Sequence, residues 1–421
     1  PVLLIDGFNK TKGTSKMTTV KAEDVFAASK ALAGYIIETP TLLSPALSEQ
    51  FNCQLYFKHE QLQYTSSFKA RGAFMALDAL DEETKKRGVI AMSAGNHAQA
   101  LAFRARNMGV RATIVMPEQT PFAKVERTRS YGAKIVLKGR DLNECESSVS
   151  ALIDAHGYTL IHPYDNPHVV AGQGTAGLEM LRSVPDLDML VVPIGGGGLI
   201  AGMALIAKSI KPEIQIIGVE AELYPSVSQM IAGQPVICGG ETIAEGIAVK
   251  SPGSITLPII EELVDDIILV GEQQLEWAVG TLAEQQRVIA EGAGAASLAA
   301  IASAPARVKG RKSGGIICGG NIDMRLLGTI LNRNMMSDGR LIRLRIGISD
   351  EPGMLAKIAT AIADCGGNIV EIYHQRMFYD IPAKLAKIDA VVDTRGQAHA
   401  NEIITALQNK KFQVDVIEEP S

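Results

Sequence analysis

MLVVPIGGGGLIAGMALIA, residues 189–207, decides how the chain is read. Its nineteen residues carry no charge, close to the length of a membrane span. Pro193 and four consecutive glycines, Gly195 to Gly198, interrupt it. Backbone that irregular would leave amides unpaired in lipid, so a spanning helix is excluded. The stretch reads instead as a buried strand, a tight loop and a helix over Leu199–Ser209.

Working outward, the same order recurs. Short β-branched apolar runs at Val89–Met92, Ala112–Met116, Lys134–Leu137, Tyr158–Ile161, Met189–Pro193, Ile214–Val219 and Gly315–Cys318 read as strands. Helical patterns at Ala98–Met108, Phe122–Tyr131 and Glu272–Val288 lie between or beyond them. Such alternation predicts an α/β fold with largely parallel sheets. Past Asn332–Gly339 (NRNMMSDG), read as a polar linker, the pattern changes to β-α-β-β-α-β over about 80 residues, a small ferredoxin-like α+β module. The domains expected are a catalytic domain over 17–334, with a small subdomain at about 70–165, and a second domain over 340–421. Residues 1–16 read as an N-terminal extension outside the fold.

Composition bounds the function. The 421 residues correspond to two or three domains at ~150 residues each. Basic residues number 41 and acidic ones 46, a net charge of -5 that offers no phosphate-backbone footprint, so no nucleic-acid partner is expected. Five scattered cysteines without a CxxC pair suit a reducing, cytoplasmic setting. No secretory leader and no membrane span are read.

Three small-residue loops directly follow strands: SAGNH (93–97), GGGGL (195–199) and CGGN (318–321). Ligands in open α/β sheets bind beyond the carboxyl ends of strands, so these loops are expected to converge on one pocket. The glycine loop opens a helix, where backbone amides and the dipole favour a phosphate. It fits neither GxxxxGK[ST] nor GxGxxG, which argues against nucleotide hydrolysis and a dinucleotide. In SSFKARGAF (66–74), Lys69 falls in the first turn of a helix read as capped by Ser66 or Ser67. A helix N-terminus and burial both lower a lysine pKa, which suits a Schiff-base amine. An amine beside a phosphate cradle points to a phosphorylated aldehyde, pyridoxal 5'-phosphate.

From about residue 35 to 330 the chain closely resembles the fold-type II pyridoxal-phosphate enzymes, specifically the threonine/serine dehydratases (threonine ammonia-lyases). The resemblance is carried by TPTLLSPALS, SFKARGA, SAGNHAQA, MPEQTPFAKVERTRSYGAKIVL, HPYDNPHVVAGQGTAGLEM, GGGGLIAG, AEGIAVKSPG and CGGNID, in that order. It implies two parallel-sheet subdomains, with Lys69 as the cofactor-holding lysine and the base at Cα. Phe68 is implied to lie against the cofactor ring and Asn96 to hydrogen-bond its 3'-oxygen. Gly195, Gly196, Gly197, Gly198 and Leu199 would give amides to the phosphate, and Cys318 would face the pyridine nitrogen. Ser93, Asn96 and His97 are implied to receive the substrate carboxylate through a hydroxyl, a ring N–H and loop amides.

The implied reaction is loss of water from a 3-hydroxy amino acid, giving a keto acid and ammonia. Related serine racemases carry a serine where this chain has Ala94, which cannot move a proton, so racemisation ranks second. A hydroxyaspartate dehydratase is a further reading within the fold. An NAD-dependent dehydrogenase and a non-catalytic amino-acid sensor are the readings outside it. Glu220 matches an acidic position near which some relatives bind a metal, but the neighbouring ligand positions differ and no metal is expected. The EGAGAA run from Glu291 reads as the start of a small-residue helix packed on the sheet.

The tail resembles an ACT domain through D-x-P-G-x-L (350–355) and GGNI (366–369). The resemblance implies an amino-acid effector, branched-chain or related, near Asp350, Pro352, Gly353, Leu355, Asn368 and Ile369. It also implies pairing of subunits into a homo-dimer or homotetramer.

Overall fold

The structure, a computed structural model, describes residues 20–140, 142–375 and 384–417. The extension read over 1–16 lies outside the described residues. The chain divides into two compact units at Ile322/Asp323.

The first unit holds β1 (Thr41–Leu43), β2 (Gln54–His59), β3 (Val89–Met92), β4 (Ala112–Met116), β5 (Lys134–Leu137), β6 (Thr159–Leu160), β7 (Met189–Pro193), β8 (Gln215–Ala221), β9 (Asp266–Val270) and β10 (Lys312–Ile317). They form a six-stranded sheet ordered β1-β2-β10-β7-β8-β9 and a four-stranded sheet ordered β5-β4-β3-β6. Every pair is parallel except β1 on β2. Helices cover the central strands, so MLVVP of β7 is buried throughout. The helices Pro167–Ser183 and Gly198–Ile210 pack backbone to backbone: a Cβ at Gly202 would lie 2.3 Å from the Val170 carbonyl. The apolar stretch at 189–207 is therefore a strand, a loop and a helix. No helix among the described residues is long and apolar enough to cross a membrane.

Register puts the chemistry-bearing loops at strand ends. Ile317 pairs with His59 at the end of β10, so Cys318 is the first residue past the strand rather than its last. The Tyr158–Ile161 run contributes only Thr159–Leu160 to its sheet. β2 carries Lys58 within the core, a charge that masks a strand when only apolar runs are sought.

The second unit begins with the helix Met324–Ser337. This corrects the linker reading of Asn332–Gly339: the polar residues lie on a helix whose Leu327 and Ile330 are buried, and the turn comes only at Gly339, where φ is +65°. Then follow β11 (Leu341–Ser349), the helix Met354–Asp364, β12 (Asn368–Gln375), β13 (Leu385–Asp393), the helix Gln397–Asn409 and β14 (Gln413–Val416). The sheet is antiparallel, ordered β12-β13-β11-β14. Alternation along β11 sends Ile342, Leu344, Ile346 and Ile348 into a core with Ile358, Ile362, Ile388 and Ile403.

Candidate active site

Lys69 opens the helix Lys69–Asp78 and donates from Nζ to the carbonyl of Pro163 at 2.9 Å. Neither Ser66 nor Ser67 caps this helix, contrary to the sequence reading. Phe68 holds the cap position without a side-chain bond, and Ser66 sits at a φ of +55°. The segment is set instead by its backbone, since Phe68 N–H donates to the carbonyl of Cys318 at 3.0 Å. Burial lowers the Lys69 pKa to about 8, against the opposing pull of Cys318 and Glu291. The amine lies 5.1 Å from the centre of the Phe68 ring.

Two residues further on, Arg71 is fully buried and forks onto two carboxylates. Nε and Nη2 reach Glu60 at 2.8 and 2.7 Å, while Nη1 and Nη2 reach Glu179 at 2.6 and 2.7 Å. Lys58 Nζ adds a bond to Glu179 at 2.5 Å. Two cations and two anions thus neutralise one another beneath the lysine turn, the arrangement that makes buried charge tolerable.

The three loops do converge. Asn321 Nδ2 donates to Asn96 Oδ1 at 2.7 Å, joining CGGN to SAGNH. The glycine loop faces Tyr164, which follows the Pro163 that holds Lys69: a Cβ at Gly196 would stand 2.2 Å from the Tyr164 ring. Gly197 takes a φ of +90° just before the helix. Among the described residues, no backbone acceptor takes the N–H groups of Gly195, Gly196, Gly197, Gly198 or Leu199. Five such donors at one helix N-terminus fit a phosphate. Asp165 fixes the wall opposite, accepting from Ser254 N–H and Oγ–H and from Ile255 N–H.

Cys318 is buried and donates weakly to the carbonyl of Ala293 at 3.3 Å. Burial and then the Glu291 carboxylate push its thiol pKa up, so the group is neutral. His97 is also neutral, its pKa lowered to about 3 by burial and then by Lys69. Its Nε2 bonds the Ile161 carbonyl at 2.9 Å, which spends the one N–H a neutral ring possesses. The expected ring N–H toward a carboxylate is therefore absent. The Ser93 hydroxyl, which accepts from Gly95 N–H at 3.2 Å, and the first amides of the helix Asn96–Asn107 are the donors on that side.

One residue given only a packing role in the sequence proves to belong here. Glu291 accepts from Asn96 Nδ2 at 2.6 Å, and burial raises its pKa to about 7. Only the acid before the small-residue run signalled it. Glu220 has both oxygens occupied by N–H groups of Val227 and Ser228, at 2.8 and 2.9 Å. Among the described residues, no group of three His, Cys, Asp or Glu could hold a metal. In the second unit, Gly353 (φ +86°) precedes the helix Met354–Asp364, with Asp350 and Pro352 before it and Leu355 in its first turn. Asn368 and Ile369 open the edge strand β12.

Known proteins share this frame. The family described as "Pyridoxal-phosphate dependent enzyme" matches residues 32–319, which takes in Lys69, the glycine loop and Cys318. An L-threonine ammonia-lyase of Thermotoga maritima is 38% identical over 400 residues, covering 94% of this chain and all of that one. Tomato (Solanum lycopersicum) threonine deaminase isoform 2 superposes with a TM-score of 0.70 at 32% identity, over 76% of this chain and 93% of that one. Serine racemase of Dictyostelium discoideum gives 0.68 at 38%, over 73% and 100%. With a buried amine, a cradle of five amides and a neutral thiol around one pocket, and a family match across most of its length, the chain belongs to the pyridoxal-phosphate dependent enzymes.

Proposed function

We propose that this chain is an L-threonine ammonia-lyase, converting L-threonine to 2-oxobutanoate and ammonia and accepting L-serine as a second substrate. The observation that carries the reading is Lys69, an amine with its pKa near 8 between the Phe68 ring and the Pro163 carbonyl. Relatives named for this activity match it at 38% and 40% identity over more than nine-tenths of the chain.

When bound, pyridoxal phosphate supplies an aldehyde for amines and a ring that withdraws electrons from Cα. The chain's own residues supply the rest. Lys69 Nζ, partly neutral near its pKa, would hold the cofactor and then take the Cα proton. The amides of Gly195 to Leu199 would bind the phosphate, and Asn96 Nδ2 would donate to the ring oxygen. Cys318, a neutral thiol, would face the cofactor's ring nitrogen without adding charge there, a setting that would favour loss of the β-hydroxyl. The Ser93 hydroxyl and the amides beyond Gly95 would receive the substrate carboxylate, with Asn96 and His97 contributing main-chain N–H groups.

Ala94 favours a lyase over a racemase. Its methyl packs against the core of the small sheet and offers no proton on that side. The experiment is to incubate purified protein, loaded with cofactor, with L-threonine and to measure 2-oxobutanoate, ammonia and D-threonine. Keto acid with ammonia supports the reading; D-threonine without keto acid would overturn it in favour of racemisation.

The second unit we read as an ACT-like regulatory domain, starting near residue 340 after the helix that closes at Ser337. Its strand order and the glycine turn at Gly353 support this. An amino-acid effector would bind at Asp350, Pro352, Gly353, Leu355, Asn368 and Ile369, in a homo-dimer or homotetramer.

A further inference from the structure

A side-chain amide can be turned either way round unless its neighbours dictate which end is the donor. Asn96 has such neighbours on both sides. Its Nδ2 donates to Glu291 Oε1 at 2.6 Å, and its Oδ1 accepts from Asn321 Nδ2 at 2.7 Å. Asn321 is oriented in turn, because its Oδ1 accepts from Arg127 Nη1 at 2.9 Å and its Nδ2 also donates to the Thr65 carbonyl at 2.7 Å. The Arg127 guanidinium only donates and the Thr65 carbonyl only accepts, so the chain of amides has one consistent direction. Counting hydrogens completes it. Asn321 Nδ2 spends both of its own, on Asn96 and Thr65; Asn96 Nδ2 spends one on Glu291 and keeps one.

Glu291 is unusual for a residue in its place. It sits at the cap of the helix Gly292–Ser303, yet its carboxylate makes no capping bond there. It reaches instead to Asn96, which lies beyond the end of β3 in the other sheet of the same unit. Room for it comes from Gly319, where a Cβ would lie 2.3 Å from Glu291 Oε1. The second residue of CGGN is thus a glycine for the sake of this carboxylate.

We propose that Glu291 is a positioning residue that acts through Asn96: its carboxylate anchors the amide nitrogen in place, leaving one Asn96 N–H for the ring oxygen of the cofactor. This rests on the reading of Asn96 given above. Without Glu291 the direction of the amide is still set by Asn321, but its nitrogen end has lost the acceptor that holds it in place.

The test compares wild type, Glu291→Ala, Glu291→Gln, Asn96→Ala and the double variant Glu291→Ala/Asn96→Ala. Pyridoxal phosphate is titrated into each apoprotein, reading Kd and the absorbance maximum of the loaded protein, with the apoprotein Tm alongside. Glu291→Ala is expected to weaken binding about tenfold, the scale of one hydrogen bond to a charged group, and to shift the maximum. Glu291→Gln, which can still accept, recovers most of both; the double variant loses no more than Asn96→Ala alone. Glu291→Met, of similar volume but without an acceptor, repeats the measurement should Glu291→Ala lower the apoprotein Tm. An unchanged Kd and maximum in Glu291→Ala and Glu291→Met, with both altered in Asn96→Ala, would overturn the role of Glu291 alone. No effect at either position would overturn the reading of Asn96 as well.

Discussion

Asn96 and Glu291 stand 195 positions apart in the chain and 2.6 Å apart in space, Nδ2 to Oε1, joining the loop after β3 to the cap of the helix Gly292–Ser303. That bond ties the small sheet to the large one at the place where the lysine turn, the thiol and the glycine loop meet. Arg127 to Asn321 and Lys124 to Glu245 cross the same gap. The pocket is therefore built from both sheets, and its polar groups depend on the two being held together.

The buried ion cluster makes the lysine turn costly to disturb. Arg71→Ala leaves Glu60 without its guanidinium and Glu179 with Lys58 alone; breaking such a pair costs about 3–5 kcal/mol. A denaturant titration of the apoprotein should show that loss, with Arg71→Lys intermediate because one ammonium cannot fork onto both carboxylates.

The Lys69 pKa sets a pH dependence. The folded chain holds the amine near 8, against an ordinary value of 10.5. Between these values the unfolded chain binds the extra proton, so apoprotein stability should rise with pH through that window. Below about 8 the burial penalty is fully present, and above 10.5 it is gone. Melting curves across this range should slope upward for wild type, and Lys69→Met should remove that contribution.

Gly196 and Tyr164 form a pair that can be tested by a double-mutant cycle. A methyl at 196 would collide with the Tyr164 ring, so Gly196→Ala should push the loop out of shape and weaken cofactor binding. Tyr164→Ala should relieve the collision. Titration of the two single variants and the double should show the double binding more tightly than Gly196→Ala alone.

Much of the site was legible because its chemistry is carried by residue types with few other uses. Four successive glycines and a lysine in SFKARGAF restrict the local backbone and the local charge, and the structure has the lysine in the first turn of one helix and the glycines at the start of another. What failed depended on distant partners. The sequence points to Ser66 or Ser67 as the cap, yet neither caps the helix and the Ser67 hydroxyl finds no hydrogen-bond partner among the described residues, because Thr65 and Ser66 take positive φ and turn the chain before the helix begins. Glu291 was hidden by the small residues after it, and Lys58 by the apolar neighbours it interrupts. Their partners, Asn96 and Glu179, lie 195 and 121 positions away. The polar run at 332–339 looked like a linker because only one face of its helix is buried.

If the second unit is regulatory, its edge strand should answer to a ligand without affecting basal turnover. Asn368 is exposed at the start of β12. Asn368→Ala should leave the rate without effector unchanged and reduce the response to branched-chain amino acids, a coupling of about 1–3 kcal/mol. Initial rates against effector concentration for the two proteins measure this directly.

The most direct test is the near-visible absorbance spectrum of the purified protein with pyridoxal phosphate, before and after L-threonine, beside Lys69→Ala. A cofactor band that changes on adding L-threonine, with 2-oxobutanoate accumulating in the same cuvette, and both lost in the variant, is the predicted result. A band and turnover that survive Lys69→Ala, or a loaded wild-type protein that yields no keto acid, would contradict the account.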